Sequence, residues 1–399
     1  LLKTTQKEVK DLKVVLVSNT SHAYWNIASV RAIVPGQISD DKLFQPIEPH
    51  FKKYPSGSFE FVLGTATSLD TTSKVVQVTT ATGERNQPYD ILVLATGSSA
   101  VGEVPWKAVG DVEETKQVLH KIQEQVKSAK SIAIGGGGAT GCEVAGELTS
   151  EYGRSKEVTL ITAGEFLLSG AVQKSVGDGA EKILTKQGVE VVKSTKIVSA
   201  TVLSNGKTEL SLSNNTTLTV DLYLPTVGLV PNSSYVPASL RNERGFVKVD
   251  NNLRVKDVKD VWAAGDIADI QRPQLVNAMA QIPVLVKNLD AVLKGKAVSP
   301  YKPGTAALAV TLGRSKATGV MGSFKLPGFM IHYMTEEEAM HAVFSGQGGS
   351  STKDRNRDVY LEQRSSNLFG KFISNVFLRD RRLKAFEDII GEILTVPRI

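Results

Sequence analysis

Cysteine is almost absent from this chain: its 399 residues include one, Cys142. A single thiol excludes an internal disulfide framework and a multi-thiolate metal site within one chain. The five histidines, His22, His50, His120, His332 and His341, show no ligand spacing, so no metal is expected. Mean hydropathy is −0.08, and no apolar run reaches the roughly 20 residues needed to span a bilayer. No charged-then-apolar secretory leader opens the chain. It begins with Leu1, so the expectation is a fragment or a processed product. Neither charge sign dominates strongly, with 47 Lys and Arg against 41 Asp and Glu. A formal net charge of +6 and a pI near 9.1 permit loose attraction to nucleic acid or anionic lipid. The lysines and arginines are scattered without interleaved aromatics, which argues for a solvated surface rather than nucleic-acid binding.

Glycine is abundant, with 34 residues. "IAIGGGGATGCEVAGEL" (132–148) concentrates the signal. Ile132, Ala133 and Ile134 suit a buried parallel strand. Gly136, Gly138 and Gly141 then stand in G-x-G-x-x-G spacing. That spacing gives a tight turn, a close backbone approach to a pyrophosphate, and a helix lying close to its strand. Val144, Ala145 and Leu148, interleaved with Glu143 and Glu147, suit a half-buried helix whose free N–H end faces phosphates. A following strand, "VTLIT", ends about 20 residues after the third glycine, where a carboxylate for a ribose hydroxyl is expected. Thr162 and Ala163 stand there instead, and Glu165 comes late. The choice between NADH and NADPH stays open.

Elsewhere the pattern alternates between α/β and β-rich stretches. "LLKTTQKEVKDL" reads as the end of a helix and "KVVLV" as a strand. "FEFVLGTATSLD" and "KVVQVTT" read as strands bordered by turn residues. "YDILVLATGS" reads as a buried strand ending in Ala95-Thr96-Gly97, and residues 112–128 as a helix. Residues 171–188 read as a helix before the strand "VEVVKS". Residues 200–228 alternate apolar and polar around Asn205-Gly206 and Asn214-Asn215, the pattern of a β-meander ending at "LPTVGLVPN". "DVWAAGDIADI" supplies a buried strand and Gly265-Asp266, followed by a helix to Leu293 that Pro283 should kink. The order implies one α/β unit nested inside another, a length of chain sufficient for two or three domains.

Taken together, Ala95-Thr96-Gly97, the Gly136/Gly138/Gly141 turn and Gly265-Asp266 resemble the two-dinucleotide-fold flavoprotein oxidoreductases. More narrowly, "AYWNIASVRAIVPG", "LPTVGLVPN" and "YKPGTAALAVTLGRSKATGVMG" look like the apoptosis-inducing-factor-like subgroup, which includes ferroptosis-suppressor proteins and fungal relatives. The likeness covers residues 1 to about 333. It implies two nested Rossmann-like domains: an FAD-binding domain at 1–108 and 229–298, and an NAD(P)-binding domain at 109–228. A C-terminal domain at 299–344 and a linker with divergent tail at 345–399 complete the expectation.

The resemblance also implies function. FAD would be reduced by NAD(P)H and pass electrons to a quinone-like or other diffusible acceptor. Asp266 would accept from the flavin ribityl chain, Arg31 and the Val62 backbone would contact FAD, and Glu143 would lie near the nicotinamide. Each has a plainer reading: Asp266 as a helix N-cap, Arg31 as a surface residue, Glu143 as a first-turn acid. Disulfide reductases of this architecture carry a cysteine pair, which this chain's count excludes, so the cofactors carry the chemistry and no protein residue is strictly catalytic. In this family a first strand and an FAD-binding glycine turn precede the segment that starts here. The expectation is therefore an outer sheet without its central strand, Ser18 where a ribose acid is usual, and weak FAD retention. A different class remains as the alternative: a non-catalytic nicotinamide-nucleotide-binding protein engaging nucleic acid or a membrane surface. "SGQGGSSTKDRNRD" (345–358) reads as a disordered linker. Leu368, Phe372, Phe377, Leu383, Phe386 and Ile390 then suit a helix docked on its own body, or else one lying on a membrane. The expected location is cytoplasmic, with contact to membranes or mitochondria as the alternative.

Overall fold

The computed structural model describes residues 1–2, 5–328 and 331. The chain divides into two units, Leu1–Thr335 and Glu336–Ile399. The linker and tail-helix expectations fall outside the described residues.

The nested unit is a parallel sheet. Its strands lie side by side in the order Val189–Val192, Glu157–Ile161, Ser131–Gly135 and Leu222–Pro225, all parallel. In chain order that is third, second, first, fourth, the arrangement of a mononucleotide-binding half-fold. Ile132, Ala133 and Ile134 are fully buried at its centre, as a strand covered on both faces requires. The Ala139–Tyr152 helix connects the first strand to the second, and Lys174–Gln187 the second to the third. The helix leading in, Val112–Ser128, starts on a reciprocal cap. Asp111 Oδ1 accepts from the N–H groups of Glu113 and Glu114 at 2.8 and 2.9 Å, while Glu114 Oε2 accepts from Asp111 N–H at 2.8 Å. Leu119, Ile122 and Val126 recur on its buried face.

The meander is shorter than its alternation suggests. Ile197–Val202, Thr208–Leu212 and Thr217–Val220 form the antiparallel ladder, but Leu222–Pro225 leaves it and returns to the parallel sheet beside Ser131–Gly135. Leu222 and Leu224 are buried opposite Ile132 and Ile134, and alternation cannot distinguish that partner from the preceding hairpin.

The outer unit comes in pieces. Val14–Ser18 runs parallel to the first five residues of Phe59–Asp70. The remainder of that long strand pairs antiparallel with Val75–Thr80, which pairs with Gly83–Pro88. Leu92–Leu94 runs parallel to Val261–Ala263 in a separate ladder. Among the described residues no hydrogen-bonded strand joins the two ladders, yet one core serves both: Val62, Leu69, Val78, Leu94, Val261 and Ala263 cluster with Val15 and Val17 against them. Two local expectations change. Leu1–Leu12 forms successive turns and no helix among its described residues, and it ends at Asp11 with φ of +59°, a left-handed conformation no helix continues through. The strand before Ala95 is confined to Leu92–Leu94. The helix Leu275–Leu293 continues through Pro283. No described helix is long and apolar enough to cross a membrane.

Candidate functional site

The glycine turn at 136–141 is held by backbone and by one hydroxyl. Gly136 N–H donates to Ile161 O at 2.8 Å, and Thr226 N–H donates to Gly135 O at 2.8 Å. Thr226 Oγ1–H is shared between the carbonyls of Gly135 and Gly136 at 3.0 and 3.1 Å. Gly136 has φ of +127°, and a Cβ on Gly141 would lie 1.8 Å from Gly136 O. The helix therefore approaches the turn more closely than any side chain permits. Gly138 differs, because a Cβ there would meet nothing within 4 Å. Beyond it the helix opens with no side-chain cap. Its first N–H groups thus keep their capacity for an anion, and these residues fit a dinucleotide pyrophosphate.

The carboxyl end of the neighbouring strand, Glu157–Ile161, carries no acid. Thr162 is buried, and its hydroxyl accepts from Gly164 N–H at 3.2 Å. Glu165 is exposed. Cys142 is buried in the helix with Sγ 3.6 Å from Gly137 O. Burial, followed by the charge of Glu143, pushes its thiol well above the ordinary range. It stays protonated and inert.

The outer unit brings a second constellation together. Ala95-Thr96-Gly97 is pinned reciprocally to Asn232. Thr96 Oγ1 donates to Asn232 O at 2.6 Å, Asn232 Nδ2 donates to Thr96 O at 2.9 Å, and Asn232 N–H donates to Gly97 O at 2.9 Å. Asp266 follows Gly265, whose φ is +77° and whose N–H donates to the buried Gln281 Oε1 at 2.7 Å. The Asp266 carboxylate is not a helix cap. Its Oδ2 receives Lys107 Nζ at 2.7 Å and Ser98 Oγ–H at 2.9 Å. Ser98 follows the Gly97 turn directly, so one carboxylate ties together the three segments at Ser98, Lys107 and Gly265. A carboxylate with a free oxygen beside two glycine-bearing turns fits a polyhydroxyl chain such as ribityl. Lys107, in "VPWKAVG", carried no motif that marks it from sequence.

The other expected residues each make contacts of their own. The Val62 side chain belongs to the core, in register with Val17, leaving its backbone alone for a ligand. Arg31 is not a loose surface residue: its Nε and Nη2 donate to one oxygen, Glu147 Oε1, at 3.1 and 3.0 Å. Glu143 accepts from Thr311 N–H at 3.3 Å. Burial pushes the Glu143 carboxyl up to about 8, with the Glu147 charge adding to the rise against the pull of Thr311 and Arg31.

Two dinucleotide-binding α/β units on one chain, one with a glycine turn and one with the Asp266 constellation, define an FAD- and NAD(P)H-dependent oxidoreductase. The chain belongs to the pyridine nucleotide-disulphide oxidoreductase family, whose model matches residues 2–282. It is 44% identical to oxidoreductase ptaL of Pestalotiopsis fici over 320 residues, 80% of this chain and 86% of that protein. It is 25% identical to ferroptosis suppressor protein 1 of Homo sapiens over 335 residues, 82% of this chain and 87% of that one. Among solved structures it resembles the water-forming NADH oxidase from Lactobacillus brevis bound to NADH. The TM-score is 0.63 at 20% identity, covering 80% of this chain and 71% of that one.

Proposed function

We propose that this protein takes electrons from NAD(P)H into FAD and delivers them to a small diffusible acceptor of the quinone class, without a dithiol relay. On this reading it stands with the apoptosis-inducing-factor-like oxidoreductases. When bound, FAD supplies the two-electron chemistry, with NAD(P)H as the source of electrons. Gly136, Gly138, Gly141 and the open end of the Ala139–Tyr152 helix would hold the nicotinamide dinucleotide. Ala95, Thr96, Gly97, Gly265 and Asp266, with the Val62 backbone, would hold FAD. Lys107 orients the Asp266 carboxylate, and Glu143 is read as facing the nicotinamide.

The observation that carries this reading is the cysteine count. The one thiol is buried and protonated, so the electrons leave by an acceptor that comes to the site. The surroundings suit an apolar one. Val101, Val227, Leu229 and Val230 are exposed on and beside the ladder that pairs Ser98–Ala100 with Leu229–Pro231, next to the Gly97 turn. Scattered exposed apolar residues mean little, but neighbouring ones beside a polar site mark a binding surface. Turnover of NADH and NADPH with short-chain quinones, on protein loaded with FAD, tests the proposal. Flavin reduction without quinone turnover would remove the acceptor class and leave the cofactors.

A further inference from the structure

Glu143 and Glu147 stand one turn apart on the Ala139–Tyr152 helix, and the two carboxylates are treated differently. Glu147 is buried at 3% side-chain exposure and receives both nitrogens of the Arg31 fork. Glu143, partly buried, receives no salt bridge among the described residues; its hydrogen-bond partner there is Thr311, through N–H and hydroxyl. Two carboxylates and one guanidinium thus share a junction between the Ser29–Ala32 helix, the glycine-turn helix and the Ala307–Thr311 strand. Nothing in the glycine-turn chemistry requires Arg31 or Glu147, whose side-chain hydrogen bonds among the described residues run to each other.

We infer that Arg31 and Glu147 act as a positioning pair that sets the protonation of Glu143 and, through it, the preference of the site for oxidised or reduced nicotinamide. The second half rests on the reading above that Glu143 faces that ring. The groups facing Glu143 are Glu147 and Cys142 from its own helix, Arg31 from the Ser29–Ala32 helix, and Thr311 from the strand. Cys142 is a neutral thiol and Thr311 a hydrogen-bond donor, so Arg31 and Glu147 are the tunable charges. An ionised carboxylate favours the cationic oxidised ring, whereas a protonated one removes that advantage and leaves NAD(P)H bound. The pair therefore biases which nicotinamide form is held at a given pH.

The two effectors have opposite signs, which a structural role alone does not produce. Arg31→Gln leaves the Glu147 charge uncompensated and raises the Glu143 midpoint. Glu147→Gln leaves a cation facing Glu143 and lowers it. Arg31→Lys keeps the charge and leaves the midpoint near its original value. The test uses the full chain and two readouts. The first is the infrared band of the protonated carboxyl, assigned by its loss in Glu143→Gln and followed against pH. The second is calorimetric affinity for NAD+ and for NADH across the same range. Expected are opposite shifts of about one unit or more in the first two variants, with the NAD+/NADH affinity ratio changing at the same midpoint. Should Arg31→Gln fail to fold, Glu147→Gln decides by its downward shift. Midpoints that stay fixed, or move the same way in both, overturn the pairing. Midpoints that move while the affinity ratio stays flat uphold the pairing and overturn the placement of Glu143 at the nicotinamide.

Discussion

Lys107 Nζ lies 2.7 Å from Asp266 Oδ2, across 159 residues of chain. The contact closes the outer unit beside the Gly97 turn. Ser98 joins the same oxygen, and both partners are largely shielded, with side-chain exposures of 24% and 13%. Lys107→Met removes a charge-assisted hydrogen bond worth about 1.5–3 kcal/mol. Discounted for partial solvation, FAD affinity should fall by about tenfold, where 1.4 kcal/mol is one decade. Asp266→Ala should fall further, since it removes the carboxylate and leaves Lys107 unpaired. Fluorescence titration with FAD measures both, and a variant of Asp266 that retains flavin fully would remove the residue from the site.

The glycine turn separates folding from binding. Gly141→Ala places a methyl 1.8 Å from Gly136 O, so the helix must move; the expected loss of stability is about 1–3 kcal/mol. Gly138→Ala meets nothing within 4 Å and should leave the melting temperature nearly unchanged. Its methyl occupies the space a pyrophosphate approaches, so NAD(P)H affinity should drop by about tenfold or more. Thermal melts and nucleotide titrations on the two variants check this contrast.

Cys142 should be dispensable for electron flow. Its thiol is buried and raised, so a thiol reagent should react only after unfolding. Cys142→Ala should keep NAD(P)H-driven reduction within about twofold while costing about 1 kcal/mol of packing. Loss of reduction in a folded Cys142→Ala protein would bring a thiol step back.

Stability should carry the mark of Glu143. Its carboxyl is raised to about 8 in the folded chain, so between the ordinary carboxylate range and that value the folded state binds the extra proton. The sign follows: this contribution is complete at low pH and is lost as pH rises toward about 8. Glu143→Gln should flatten the fall in melting temperature over that window. A slope unchanged by the substitution would show that Glu143 ionises normally.

Much of this was legible in sequence where the determinants are local. Residues 112–128 matched their helix, which the Asp111 cap opens; the strand, glycines and helix at 131–152 fell in the expected order, and Phe59–Asp70 matched its strand residue for residue. What escaped depends on partners far along the chain. Leu222–Pro225 alternates like its meander neighbours, and only Ser131–Gly135, about 90 residues earlier, draws it into the parallel sheet. The ion pair of Arg31 gave no sign in sequence, because no local pattern announces Glu147, 116 residues away. Lys107 had no motif at all, and its role emerges from three segments meeting at Asp266.

The family name speaks of disulphides, whereas this chain has a single buried thiol, and that contrast supplies the most direct test. Anaerobic titration of the FAD-loaded protein with NADH or NADPH counts the electrons it stores. The account predicts that the flavin absorbance bleaches completely at one nicotinamide equivalent per flavin. A flavin that stays oxidised with both nucleotides, or an endpoint at two equivalents, would contradict it.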